Sequence, residues 1–217
     1  ENQAHDSICG CSIDVVHEAP EVGENLQDHL QVRMVFRCRK PITLNDQYRN
    51  LFKRIGIGLR FGLLRKGPLT VSAGYATAFY RSQPGLATPD IQIHFIVFST
   101  DKMGASLHPY SGFTASVCHL RPESRGHIHA RTGRFADAPS IQPNYFTAAA
   151  DRNAFVRGLR ILRDIMQAPS MAPYVAQEIE PGPAVVSDAD WLAYARTRAS
   201  TAVSGFAPVS AALSAAS

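Results

Sequence analysis

The sequence predicts an α+β fold, a mainly antiparallel sheet flanked by helices, and two periodicities carry that prediction. Between residues 30 and 133, apolar and polar residues alternate in short runs, the period of half-buried strands. Between residues 147 and 199 the period lengthens to that of an amphipathic helix. A third observation narrows the class. No Gly-x-Gly-x-x-Gly follows a strand, so the fingerprint of a dinucleotide-binding half is missing.

Residues 1 to 21 look irregular, apart from a short strand candidate at Ile13 to His17. Leu30, Val32, Met34, Phe36 and Cys38 alternate with Gln31, Arg33, Arg37 and Arg39 in the first clear strand. A helix is expected over Arg49 to Leu64, with Leu51, Ile55 and Leu59 on one side and Arg49, Lys53 and Arg60 on the other. Gly56, Gly58 and Gly62 weaken it by roughly 1 kcal/mol each relative to alanine. Ala76 to Arg81 is a second strand. Ile91 to Phe98 is a third, apolar on both faces and so expected to be central. Phe113 to Leu120 and the shorter Gly126 to Arg131 complete the strands. Phe155, Leu159, Leu162 and Met166 then mark a helix over residues 149–167, closed by Pro169. Ser187, with Asp188 and Asp190 behind it, reads as the N-cap of a helix through Trp191, Leu192 and Ala195. The helices over 49–64 and 149–167 are expected to pack on one face of the sheet. The uncharged run Ala202 to Ser217, mostly Ala, Ser, Val and Gly, reads as a poorly ordered tail.

Composition excludes several classes of function. With 45% hydrophobic and 18% charged residues, the 217-residue chain fits a globular fold with a core. A net charge of +4 is too small to imply nucleic acid. No apolar run is long enough for a transmembrane helix, and the polar opening Glu1-Asn2-Gln3 is no signal peptide. Cys9, Cys11, Cys38 and Cys118 form no disulfide framework, which suits reduced thiols in the cytoplasm. From Gln47 to Pro89 there is no acid but seven bases. A solvated face, or one meant for an acidic partner, accounts for this more simply than an anionic membrane surface, to which the protein would be peripheral.

Two loose metal patterns exist: His127-x-His129 with His94 and His119, and Cys9-Gly-Cys11 with His5 and His17. Histidines on the wet face of a sheet explain the first better, so no metal is expected. No Gly-x-Ser-x-Gly elbow is present. The densest polar cluster is Val22-Gly23-Glu24-Asn25-Leu26-Gln27-Asp28-His29-Leu30. Burying so many hydrogen-bonding groups without partners is costly, so the segment belongs to solvent or to a ligand.

That segment closely resembles one in the glucose-methanol-choline (GMC) oxidoreductases, flavoenzymes that oxidise alcohols. Further stretches resemble the family in order: Gly67-Pro68-Leu69-Thr70, Pro89 to Phe95, the turn Pro122-Glu123-Ser124-Arg125-Gly126, and Pro143-Asn144-Tyr145 followed by Asp151. The likeness runs from Val15 to Thr201 and is strongest to choline- and alcohol-dehydrogenase-like members. It implies a GMC substrate-binding-type domain over residues 30–201, an edge of the FAD domain over 1–29, and a disordered tail over 202–217. It implies FAD as cofactor, with Asn25, Gln27, Asp28 and His29 beside the flavin, and an alcohol such as choline or a primary alcohol as substrate.

Two departures shape the expectation. The family's Rossmann half has no counterpart before residue 1. After Ala199-Ser200-Thr201, the His-Pro-Val-Gly-Thr segment is replaced by Ala202-Val203-Ser204-Gly205-Phe206, so no catalytic residue is assigned. The expected product is a fragment of an FAD-dependent oxidoreductase acting on the CH–OH group, inactive alone; the alternative is a non-catalytic binding module derived from that fold. Phe155, Leu159 or Tyr145 are expected to leave an apolar patch and promote self-association.

Overall fold

The structure, a computed structural model, describes residues 17–70, 74–102 and 104–201. Along the described chain run β1 (Leu30–Cys38), α1 (Leu44–Arg49), α2 (Leu51–Leu64), β2 (Ala76–Tyr80), β3 (Ile91–Ile96), β4 (Gly112–His119), β5 (His127–His129), β6 (Ser140–Gln142), α3 (Ala149–Gln167), β7 (Val175–Glu180), α4 (Asp188–Arg198) and β8 (Ala199–Thr201). They group into two compact units. The first takes the described residues up to Leu30, Arg121–Arg152 and Thr201; the second takes Gln31–Leu120 and Asn153–Ser200. In this division residues 121–152 group with the segment up to Leu30. The strand candidate over residues 13–16, the Cys9-x-Cys11 pair with His5, and the tail 202–217 lie outside the described residues.

The second unit is built on antiparallel pairs in the order β2-β3-β4-β1-β7, with β8 also pairing β1. Strand alternation gives this sheet two unlike faces. One carries Val32, Met34 and Phe36 of β1, Phe113, Ala115 and Val117 of β4, and Ile91 and Ile93 of β3, all buried. Helix α3 lies on that face. A Cβ at Gly158 would stand 2.7 Å from Val117 Cγ1 and 3.2 Å from Ile91 Cδ1, so the missing side chain sets the approach. Phe155, Leu159, Leu162 and Met166 are buried along the same helix, each side chain contributing roughly 1.5–3 kcal/mol. The opposite face carries Gln31, Arg33 and Arg37 of β1, Ser116 of β4, and Gln92 and His94 of β3.

Three expectations are corrected here. Phe155 and Leu159 form no surface patch: they are 2% and 0% exposed, because α3 meets the sheet within its own unit. The helix expected over 49–64 is present as α2, and the shorter α1 just before it was not expected. Asn50, with φ −88° and ψ 116°, ends α1 and caps α2, its Oδ1 accepting from Lys53 N at 3.0 Å. Yet α2 does not bury its apolar strip. Leu51, Phe52, Ile55, Leu59 and Leu63 are all more than half exposed, and only Ile57 and Phe61, on the opposite side, are half-buried. The stretch 147–199 is likewise not wholly helical, since β7 lies within it. β7 pairs beside β1 with two register shifts, a geometry that regular periodicity does not announce.

Candidate functional site

The polar segment at Gly23–His29 lies in the first unit, and backbone pairing fixes it there. Ile128 N donates to Gly23 O at 2.6 Å, and Leu26 and Gly126 exchange both N–H···O bonds at 2.9 Å. Gly23 has φ +88°, and a Cβ there would collide with the Ile128 carbonyl oxygen, so glycine is required twice over. Asn25 follows with φ 57°, a left-handed conformation that asparagine tolerates. Glu24 reaches His129 Nε2 at 2.6 Å on β5.

The four predicted side chains divide. Asp28 is half-buried and engaged within the unit. Tyr145 Oη donates to Asp28 Oδ2, and Thr201 Oγ1 donates to Oδ1 at 2.9 Å. Burial first, and then the adjacent Asp28 carboxylate, push the Tyr145 hydroxyl well above the ordinary tyrosine range. Asn25, Gln27 and His29 are exposed and make no side-chain hydrogen bond to the described residues. The pinned segment therefore presents two amides and an imidazole outward.

Below it, the Pro122–Gly126 turn forms a support. Asp151, in the first turn of α3 and 3% exposed, accepts from Glu123 N at 2.8 Å and Ser124 N at 2.9 Å. Ser124 Oγ accepts from Ala148 N at 3.1 Å, and Asn144 Nδ2 donates to Arg125 O at 3.0 Å. At Gly126 a Cβ would overlap the Gln142 carbonyl oxygen and stand 2.6 Å from Pro143 Cα.

Sequence reasoning did not find Tyr145 and Thr201 as partners of Asp28. They lie 117 and 173 residues away, beyond any local pattern. His127 and His129 do share a face, stacked with centroids 4.4 Å apart. His94 and His119 do not join each other. His119 pairs with Ile91, three residues before His94, which puts the two histidines on opposite faces. No group of three or more metal-ligating side chains occurs among the described residues.

Residues 122–211 match the family described as GMC oxidoreductase. Alcohol dehydrogenase [acceptor] of Pseudomonas putida is 36% identical over 190 residues, 87% of this chain and 34% of that protein. Oxygen-dependent choline dehydrogenase of Vibrio vulnificus is 37% identical over 175 residues, covering 81% and 31%. The chain thus spans about a third of the length of these relatives. Among solved structures, a formate oxidase shares the fold with a TM-score of 0.77 at 20% identity, over 89% of this chain and 38% of the oxidase. A pyridoxine 4-oxidase does so with a TM-score of 0.70 at 20% identity, over 92% and 34%. By these matches the chain is similar to the C-terminal region of the GMC oxidoreductases, over residues 122–211 by the family match and over most of its length by the shared α+β fold.

Proposed function

We propose that this chain supplies the flavin-edge segment and the substrate-binding sheet of an FAD-dependent oxidoreductase acting on the CH–OH group of alcohols. The observation that carries the reading is the pinned segment: its backbone is fixed by β5 and Gly126, while Asn25, Gln27 and His29 remain free to bind. Amides and an imidazole both donate and accept hydrogen bonds, which suits the polar edge of an isoalloxazine ring. FAD, when bound, supplies the hydride acceptor. In this reading Asn25, Gln27 and His29 contact the flavin, and Asp28 serves it by holding the segment to Tyr145 and Thr201. His29 is a flavin-side group, and no proton-accepting base is assigned. A cytoplasmic protein fits the reduced thiols Cys38 and Cys118; among the described residues no helix is long and apolar enough to cross a membrane. Self-association through the apolar strip of α2 belongs to the same proposal.

Co-expression with the part of the Pseudomonas putida alcohol dehydrogenase that this chain does not match tests the reading. The assembly should carry FAD, and Asn25→Ala with His29→Ala should shift the flavin's visible absorption. A stable assembly without flavin, or a spectrum unmoved by both changes, would sink the proposal. A colourless chain that instead holds a specific partner would favour the non-catalytic module.

A further inference from the structure

The polar face of the second unit's sheet holds an unusual group. Arg33 projects from β1 on the side away from α3, its guanidinium half-buried and its Nε shielded from solvent. Among the described residues it has no side-chain hydrogen bond and no ion pair, although Tyr194 Oη donates to its backbone carbonyl. Desolvation with no compensating charge is expensive for a cation, and it lowers this group's pKa. In the central strands the surroundings are neutral donors and acceptors. Arg33 faces Ser116 directly, and Ser116 faces His94 on the next strand. Such cross-strand neighbours have Cβ atoms about 4.5–5.5 Å apart. Gln31, which accepts from Ser116 Oγ at 3.3 Å, and Gln92 flank this row. A second cation, Arg37, stands four residues along the same face, over the Tyr110 ring. The nearest carboxylate paired to β1 is Glu180 on β7, which is already held by Arg198 at 2.5 Å.

We propose that this face binds a carboxylate-bearing small molecule through Arg33, beside Ser116 and His94. As a substrate class this rests on the alcohol-oxidoreductase reading above: it points to a hydroxy acid or another anionic alcohol and away from a quaternary ammonium alcohol. A guanidinium fork matches a carboxylate in two parallel hydrogen bonds. A trimethylammonium group placed there would meet like charge from Arg33 and Arg37, a device that rejects the wrong ligand as firmly as it selects the right one.

Binding to the 217-residue chain, followed through the His94 ring resonance, tests this without any flavin. Glycolate should produce a saturable shift, and choline chloride at equal ionic strength should produce none. Arg33→Gln should weaken glycolate binding at least tenfold, and Arg33→Lys, which keeps the charge but loses the fork, should fall between. Choline binding as well as glycolate would overturn the inference, and so would a glycolate shift that survives Arg33→Gln. If Arg33→Gln does not fold, the comparison of glycolate with choline on the unaltered chain decides alone. A chain that binds glycolate but never joins a flavin-loaded assembly keeps this inference and sinks the oxidoreductase reading. An assembly that oxidises choline and ignores glycolate does the reverse.

Discussion

At Gly126 a single hydrogen atom stands where any side chain would strike the Gln142 carbonyl and the Pro143 backbone. Neither neighbour can rotate aside. Gly126→Ala should therefore cost at least ~2 kcal/mol, read as a lower denaturant midpoint with unchanged slope. Asp151 offers a second residue-scale test. It caps two amides of the same turn, and Asp151→Ala leaves both without their acceptor, a loss of about 1–3 kcal/mol. Tyr145 gives a pH signature. Burial and Asp28 raise its pKa, so the folded chain holds that proton more tightly than the unfolded one. The resulting stability is complete below the ordinary tyrosine range near 10 and is lost as pH climbs beyond it. The Tyr194 hydroxyl, half-buried against β1, is raised by burial too, so absorbance at 295 nm should show late-titrating phenols, one of them lost in Tyr145→Phe. The sequence displayed the polar segment but not this division of labour. Asn25, Gln27, Asp28 and His29 look alike in one dimension, and only contacts from distant residues separate the anchor from the exposed three.

Among the elements, α2 departs furthest from expectation. Its period was legible, yet the period fixes only which residues share a side. Whether that side meets anything depends on what lies nearby, and here the apolar strip faces outward. Leu59→Glu should leave folding nearly intact, since Leu59 is 58% exposed, while reducing concentration-dependent association in sedimentation. Because Lys53 and Arg60 border the strip, association of the unaltered chain should strengthen with salt as their repulsion is screened. β1, β3 and β4 were legible for the opposite reason: each is paired on both sides, so alternation or continuous apolarity was strongly imposed. β7, whose pairing with β1 is interrupted twice, was under weaker constraint and left a weaker trace.

For the molecule as a whole, the prediction is catalytic silence of the 217-residue chain. Hydride transfer needs a flavin and an oriented alcohol held within reacting distance, and the sequence contains no dinucleotide-binding glycine motif. With FAD, an artificial electron acceptor, and choline or primary alcohols, turnover should not exceed that of free flavin. Activity that disappears in His29→Ala would show that this histidine is a base; activity that survives would reveal a site elsewhere in the chain. The α+β class was readable because two periodicities occupy different stretches. The interleaving of segments in the first unit was not, since nothing local to residues 23–29 specifies Gly126, Tyr145 or Thr201 as neighbours.

That interleaving sets a timetable for synthesis. The Asp28 carboxylate waits for a hydroxyl 173 residues downstream, and Leu26 for a backbone partner at residue 126. While the chain emerges from the ribosome, residues 23–29 lack these neighbours until Gly126, Tyr145 and Thr201 have been made, and loop closure over such separations is slow. Residues 23–29 are thus made well before they can take their shape. A nascent chain halted before residue 121 should leave it open to proteases that spare it in the finished protein.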